Sequence, residues 1–381
     1  TPAFYLDAKG ELDRDKAENG AASAGIPGLP AALVHVARKY GRLPLAKSLA
    51  PAIRIAREGF PVYPRLVNEY AQRKPVMERY AATRAVYLAD GDPPELGETL
   101  KQPDLARTFE RIAAQGFDGF YRGPVAQDLL AAVKADGVEW TADELAAYRV
   151  KEREPIRFRY RDWNLVTAPP PSSGGIALAE ILKVLEGWDL KALEPAQRIH
   201  YEVEAMRRAY RDRTLYLGDP DSVRIPVRML TSDDYAAGLR ASILPDKATP
   251  SDMLPGTLPP RESVNTTHFS IMDADGNLAA VTQTVNLAYG SGMVVGGAGF
   301  LLNDEMDDFA LKPGAPNAFG VTGYDANAVA PGRRPLSSMS PTFMFGPDRI
   351  AVLGTKGGSR IITSTMIGIL GFDAGLDSPQ I

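Results

Sequence analysis

The densest candidate chemistry in this sequence lies at Thr266-Thr267-His268-Phe269-Ser270, approached through Glu262-Ser263-Val264-Asn265 and a Pro-rich stretch from Pro255 to Pro260. A threonine hydroxyl is a poor nucleophile unless a base takes its proton. His268, two residues on, shares a strand face with Thr266, but the spacing supplies no carboxylate to orient it. One arrangement needs no other side chain. If the chain is cut in front of Thr266, the new α-amine, with an ordinary pKa of about 7.7–8, is a base near neutral pH. By residue type and spacing alone, an ordinary strand start explains the two threonines better. Asn265-Thr266-Thr267 also matches a glycosylation sequon, a short and frequent pattern of little weight.

The flanking pattern gives Thr266 a partner. Thr266 to Met272 alternates as a strand, Asp273-Ala274-Asp275-Gly276-Asn277 is a turn, and Leu278 to Asn286 reads as a second strand. A three-residue loop over 274–276, with Gly276 in the left-handed position, fits this sequence. In that register residue 273 faces 277 and Thr266 faces Thr284, on one face of the ribbon. A two- or four-residue loop would break the pairing.

Composition narrows the field. The 381 residues are 45% hydrophobic and 24% charged, globular values for a chain long enough to bury a large core. A net charge of −4 speaks against nucleic acid or an anionic membrane as partner. With no cysteine and three histidines (His35, His200, His268), disulfides, thiolate chemistry and Cys- or His-rich metal sites fall away, so no metal or cofactor is expected. No apolar run approaches the ~20 residues of a membrane-spanning helix. The chain opens Thr1-Pro2-Ala3 with no initiator Met and no signal-peptide pattern, so a mature or trimmed product is expected.

The elements that must position this chemistry are unevenly spread. After a turn-rich start, helical spacing marks 29–40, 45–58 (restarting at Pro51), 62–80, 103–115, 123–135 and 141–148, the last with a capping box at Thr141 and Glu144. Ile156, Phe158 and Tyr160 alternate with arginines as a half-buried strand. Pro169 to Gly175 then opens a helix to Glu186; the glycine pair reads better as a close-packed turn than as an anion site. A long helix covers 195–217. Its Arg207, Arg208, Arg211 and Arg213, interleaved with Glu202, Glu204 and Asp212, read as a solvated or ion-paired face. A polar linker spans 246–265. The first 265 residues are thus expected to be mostly helical and the last 116 (381 − 265) mostly strand and loop. Repeats, a G-x-S-x-G elbow, an H-E-x-x-H helix and a dinucleotide loop are all missing.

Four blocks in order resemble the γ-glutamyltransferase (glutathione hydrolase) family of N-terminal nucleophile (Ntn) hydrolases. They are Thr266-Thr267-His268-Phe269-Ser270, Leu301 to Phe309 (LLNDEMDDF), Arg334 to Pro341 (RPLSSMSP) and Gly357-Gly358-Ser359-Arg360. Earlier runs, Lys39 to Pro44 and Pro170 to Gly175, are similar too, so the likeness covers nearly the whole chain. It implies an α+β fold, a four-layer αββα sandwich with a helix-rich N-terminal part and Thr266 at the end of a central strand. It also implies a proenzyme cut between Asn265 and Thr266 into a large-subunit-like region (1–265) and a small-subunit-like region (266–381) that stay associated as a heterodimer.

The same resemblance assigns roles. Thr266 would be nucleophile both in self-cleavage and in acyl transfer, with Thr284 orienting its amine. Asn286, Glu305 and Asp308 would hold the substrate's α-ammonium, which suits carboxylate and amide oxygens. Ser337 and Ser338 would hold its carboxylate. Gly357 and Gly358 would supply the oxyanion hole, where glycine lets backbone N–H groups come close. Asp307 reads as structural. Alone, the serine pair reads as a polar loop and the glycine pair as a turn.

The implied substrates are glutathione and other γ-glutamyl compounds, with water, an amino acid or a dipeptide as acceptor, and the implied location is periplasmic or secreted. The family's carboxylate-gripping arginine belongs to a segment preceding Thr1, and relatives continue past Ile381 for further strands, so a piece of a longer molecule is expected. In the lid-like loop 312–333, Phe319 replaces a tyrosine common among relatives, which removes a hydroxyl contact to Asn286. Two alternatives stand beside this reading: a glutaryl- or cephalosporin-type acylase of the same fold, and a non-catalytic binding protein or arrested proenzyme.

Overall fold

The computed structural model describes residues 1–88, 91–254 and 265–376, which form two compact units. One unit joins Arg14–Glu152 to Val285–Met306. Its helices are α1 (Arg14–Glu18), α2 (Leu29–Lys39), α3 (Leu45–Glu58), α4 (Pro64–Met77), α5 (Ala81–Tyr87), α6 (Pro103–Gln115), α7 (Asp118–Tyr121), α8 (Gly123–Ala135) and α9 (Ala142–Ala147). A short ribbon pairs β1 (Phe60–Pro61) with β2 (Thr99–Leu100). On α8, Val125, Leu129 and Val133 recur every four residues and are fully buried, the stripe that docks an amphipathic helix. α9 starts on the expected capping box: Thr141 Oγ1 accepts from the Glu144 amide, and the Glu144 carboxylate accepts from the Thr141 amide. α3 covers the expected stretch and runs unbroken through Pro51. Pro51 and Lys47, whose carbonyl loses its helical donor, are both exposed, so water can serve that carbonyl.

The segment 285–306 is irregular but anchored. Met293, Val295, Ala298 and Leu302 enter the same core as Leu129, Val133 and Leu145. Each such burial contributes about 1.5–3 kcal/mol for a large side chain. This fixes the loop that carries Asn286 and Glu305.

The other unit comprises Thr1–Asp13, Arg153–Thr284 and the chain from Asp307 onward. β3 (Ile156–Tyr160), β4 (Trp163–Thr167), β7 (Thr342–Phe345) and β8 (Ile350–Leu353) form an antiparallel sheet in the order β3-β4-β7-β8. β5 (Thr266–Met272) and β6 (Leu278–Thr284) form a separate hairpin. Helices α10 (Gly174–Leu185), α11 (Pro195–Tyr216), α12 (Val227–Leu230), α13 (Asp233–Ala241) and α14 (Ile361–Asp373) complete it. The register stacks Phe158, Leu165, Met344 and Ala351 on one sheet face, and these residues share a core with α10, α11 and α14. α10 is buried along nearly its whole length, which accounts for a sequence that is apolar but for Glu180 and Lys183.

The C-terminal part is mostly strand and loop, as expected, and it also carries α14 over Ile361–Asp373. β5 pairs only with β6 among the described residues, so Thr266 begins one strand of a two-stranded ribbon rather than a central strand; the chain leaves β6 at Thr284 into irregular backbone. The compact units divide the chain differently from the 1–265 and 266–381 regions, and β4 of the first region pairs with β7 of the second. The expected polar linker falls partly outside the described residues. Among those described, no helix is long and apolar enough to cross a membrane, and no group of three His, Asp or Glu could hold a metal ion.

Candidate active site

The hairpin has the expected register. Gly276 takes φ +82°, the Asp273 amide donates to the Asn277 carbonyl at 3.1 Å, and Thr266 pairs with Thr284. Thr266 is buried, and its hydroxyl donates to Thr284 Oγ1 at 3.4 Å. Thr284 Oγ1 in turn donates to the Asn265 carbonyl at 3.1 Å. A hydroxyl relay therefore runs from the candidate nucleophile to the carbonyl just before it. His268 lies opposite Thr282, hydrogen-bonds to Thr282 Oγ1 (2.7 Å) and Ser270 Oγ (3.1 Å), and has its pKa lowered by burial. A neutral imidazole held by hydroxyls fits no catalytic triad.

The glycine pair sits where the chain enters α14. Gly357 (φ +129°) and Gly358 (φ +56°) both occupy backbone conformations that suit glycine. Gly357 caps and Gly358 opens the 3-10 turn Gly358–Arg360, which runs directly into α14. Among the described residues the two amides find no acceptor, so they are available to a developing negative charge at a helix start. The preceding Gly354 lies against the His268 ring, which brings this turn toward the face of β5 that carries Thr266.

Ser337 and Ser338 occupy the loop leading to β7. Ser337 Oγ accepts from the Met339 amide at 3.0 Å, and Ser338 Oγ accepts from Arg213 Nη2 at 3.4 Å. Ser173 fixes the loop from behind, its amide (2.8 Å) and hydroxyl (2.7 Å) both donating to the Ser337 carbonyl. The Pro169–Gly175 turn is close-packed, as expected: a Cβ on Gly175 would sit 2.1 Å from the Ala168 carbonyl oxygen, and one on Gly174 2.5 Å from that of Met339.

Asp308 Oδ1 accepts from Asn317 Nδ2 at 2.9 Å, while Asp307 Oδ2 accepts from the Ala318 amide, a structural tie to the loop 312–333. Phe319 in that loop is buried, and its carbonyl accepts from Ser359 Oγ at 3.3 Å. Asn286 and Glu305 belong to the helical unit, whereas the other candidate residues belong to the sheet-bearing unit. Asn286 takes φ +77°, a strained backbone for a non-glycine residue, and its Nδ2 donates to the Asp304 carbonyl at 3.0 Å. Asp304 Oδ1 accepts from the Leu287 amide at 2.9 Å, holding the next peptide. Burial raises the Glu305 carboxyl to about 7.

Sequence reasoning missed Arg213, Ser173 and Asp304. Arg213 was expected on a solvated or ion-paired face. Arg207, Arg208 and Arg211 do pair with Glu204 or Asp212, but Arg213 is buried and meets hydroxyls. No single-residue signal distinguishes it from its neighbours.

A model of the Gamma-glutamyltranspeptidase family matches residues 1–377. Glutathione hydrolase proenzymes are 44% identical over 374 residues in Pseudomonas sp. (strain A14) and 42% over 371 in Escherichia coli (strain K12). These alignments cover 97% and 96% of this chain, which spans only 65% and 64% of the two relatives' lengths. Among solved structures, cephalosporin acylase from Bacillus halodurans superposes with a TM-score of 0.80 at 29% identity, covering 94% of this chain and 65% of that one. The fold is thus that of the Ntn hydrolases. A match running through the helical unit, the Thr266–Thr284 hairpin and the glycine turn makes this chain a member of the gamma-glutamyltranspeptidase family.

Proposed function

We propose that the chain carries the catalytic machinery of a γ-glutamyl-transferring enzyme, made as a proenzyme, that acts on glutathione and related γ-glutamyl amides. The hydroxyl relay Thr266–Thr284–Asn265 carries this reading. In the intact chain, Thr284 donates to the carbonyl oxygen that self-cleavage must polarise, and Thr266 Oγ1 is its neighbour. Attack by Thr266 Oγ1 on the Asn265 carbonyl carbon breaks the peptide C–N bond, which frees the Thr266 amine and leaves an ester; water then cleaves the ester to the Asn265 carboxylate and the free Thr266 hydroxyl.

That amine then serves as base. Thr266 Oγ1 attacks the γ-amide carbonyl, the Gly357 and Gly358 amides stabilise the oxyanion, and the amine product leaves. Water, an amino acid or a dipeptide releases the glutamyl group from Thr266. Ser337 and Ser338 are suited to the α-carboxylate, and Asn286, Glu305 and Asp308 to the α-ammonium. The cut fragments act as a heterodimer, and the protein works in the periplasm or outside the cell, as the resemblance implies.

The test is N-terminal sequencing of purified protein together with release of chromophore from a γ-glutamyl anilide. Fragments of 265 and 116 residues (381 − 265), the smaller starting at Thr266, are expected with turnover. Turnover by an intact chain would sink the mechanism. The likeness to a cephalosporin acylase supports one second reading, a glutaryl-type acylase. Glutaryl anilide lacks only the α-ammonium, so faster turnover of it than of the γ-glutamyl anilide would favour that reading.

A further inference from the structure

We infer that Arg213 is a positioning residue of the carboxylate subsite, a buried cation that acts through the Ser338 hydroxyl to select substrates bearing a carboxylate. The inference rests on the proposed function and adds a residue and a specificity to it.

Arg213 lies on α11 and is 5% exposed. Its Nε donates to Ser173 Oγ at 3.1 Å and its Nη2 to Ser338 Oγ at 3.4 Å. The other arginines on this stretch of the helix have carboxylate partners: Arg207 and Arg208 pair with Glu204 at 2.8 and 2.6 Å, and Arg211 with Asp212 at 2.8 Å. Among the described residues, no carboxylate comes within 4.0 Å of Arg213. The Asp308 carboxylate acts on Arg213 only from beyond ion-pair distance; a buried charge with no carboxylate in contact is costly, and a ligand that brings one lowers that cost.

Hydrogen-bond direction says which ligand group fits. A guanidinium only donates, so Ser338 Oγ must accept from Arg213, leaving its own proton to be offered elsewhere. Ser337 Oγ already accepts from the Met339 amide and is left in the same state. Two adjacent hydroxyls thus present protons in front of a buried cation. That arrangement suits a carboxylate and disfavours a second cation. Ser173 couples the parts, accepting from Arg213 while it donates to the Ser337 carbonyl. One helical turn before Arg213, the Tyr210 hydroxyl donates to the Ser359 carbonyl, so the same side of α11 also braces the glycine turn.

Three anilides separate this role from a structural one: γ-glutamyl (carboxylate and ammonium), glutaryl (carboxylate only) and 4-aminobutyryl (ammonium only). For Arg213→Met we expect KM to rise roughly tenfold or more for the first two, with kcat little changed and the third substrate unaffected. Arg213→Lys keeps the charge without the planar fork and should show the same selectivity at smaller size. It also keeps the test open if the Met variant does not fold. A parallel loss on all three substrates, or no change on any, would overturn the inference while leaving the proposed function standing. If the unmutated protein turns over no γ-glutamyl anilide, the proposed function fails instead. Calorimetric titration with glutarate then decides separately: binding that Arg213→Met abolishes supports the inference, and binding equal in both, or absent from both, refutes it.

Discussion

Thr284 touches both ends of the proposed bond-making step, accepting from the Thr266 hydroxyl and donating to the Asn265 carbonyl. Removing that hydroxyl should hurt self-cleavage most, because a positioned donor to a developing oxyanion is worth about 10²–10³ in rate. Thr284→Val should therefore slow the appearance of the two fragments on a denaturing gel by about that factor, and Thr284→Ser should restore most of it. This pair was legible in the sequence because strand side chains alternate with period two and Gly276 fixes the loop length.

Glu305 makes a second residue-scale prediction. Its carboxyl is raised to about 7 by burial, so it is largely neutral below that pH and ionised above it. An ammonium-bearing substrate needs the ionised form, whereas a glutaryl substrate does not. The ratio of kcat/KM for γ-glutamyl over glutaryl anilide should rise with pH through about 7. The free Thr266 amine affects both substrates alike and cancels in the ratio. Glu305→Gln should flatten the profile, and a flat profile in the unmutated protein would remove Glu305 from ammonium binding. Neither this environment nor the burial of Arg213 was legible, since local pattern shows which charges are present but not which are desolvated.

At the scale of elements, α10, α11 and α13 enclose a cluster of acid groups. Glu180 on α10 is buried beside Asp212 on α11, and its Oε1 has no hydrogen-bond partner among the described residues. Asp212 also accepts from the Tyr235 hydroxyl on α13 (2.5 Å) and pairs with Arg211 (2.8 Å). Desolvation first, and then the neighbouring Asp212 charge, raises the Glu180 pKa well above the carboxylate range. Its folded pKa therefore exceeds its unfolded value, so the contribution is fully present below the unfolded pKa of about 4.3 and is lost as pH rises through the folded one. Glu180→Gln, neutral at every pH, should match the unmutated protein in acid and exceed it increasingly toward alkaline pH. Thermal unfolding midpoints at pH 5 and pH 9 measure this, and a constant offset between the two proteins would refute it. Most helices here were legible from their spacing and caps. α14 was not: Ile361, Ile362, Met366, Ile369 and Leu370 are buried beside Gly368, and so apolar a segment lacks the polar face that signals helical period.

For the molecule as a whole, the proposed cut does not follow the seams of the fold. Cleavage between Asn265 and Thr266 would leave β3 and β4 on one fragment and β7 and β8 on the other, yet β4 and β7 are hydrogen-bonded neighbours in one sheet. The core beneath that sheet mixes both fragments as well, with Leu165, Ile181 and Leu182 packed alongside Met344, Met366 and Ile369. Neither fragment can bury its apolar face without the other, so the sheet must form in the uncut chain and outlive the cut. The cleaved protein should elute from a sizing column as one species holding both fragments, which separate only in denaturant. Residues 266–381 produced alone should lack protected amides over Thr342–Phe345 and Ile350–Leu353 in hydrogen exchange, because β7 would have lost its β4 edge. Co-expression with residues 1–265 should restore that protection. A stably folded small fragment would instead mean that β7, β8 and α14 form a core without β4, against the packing seen here.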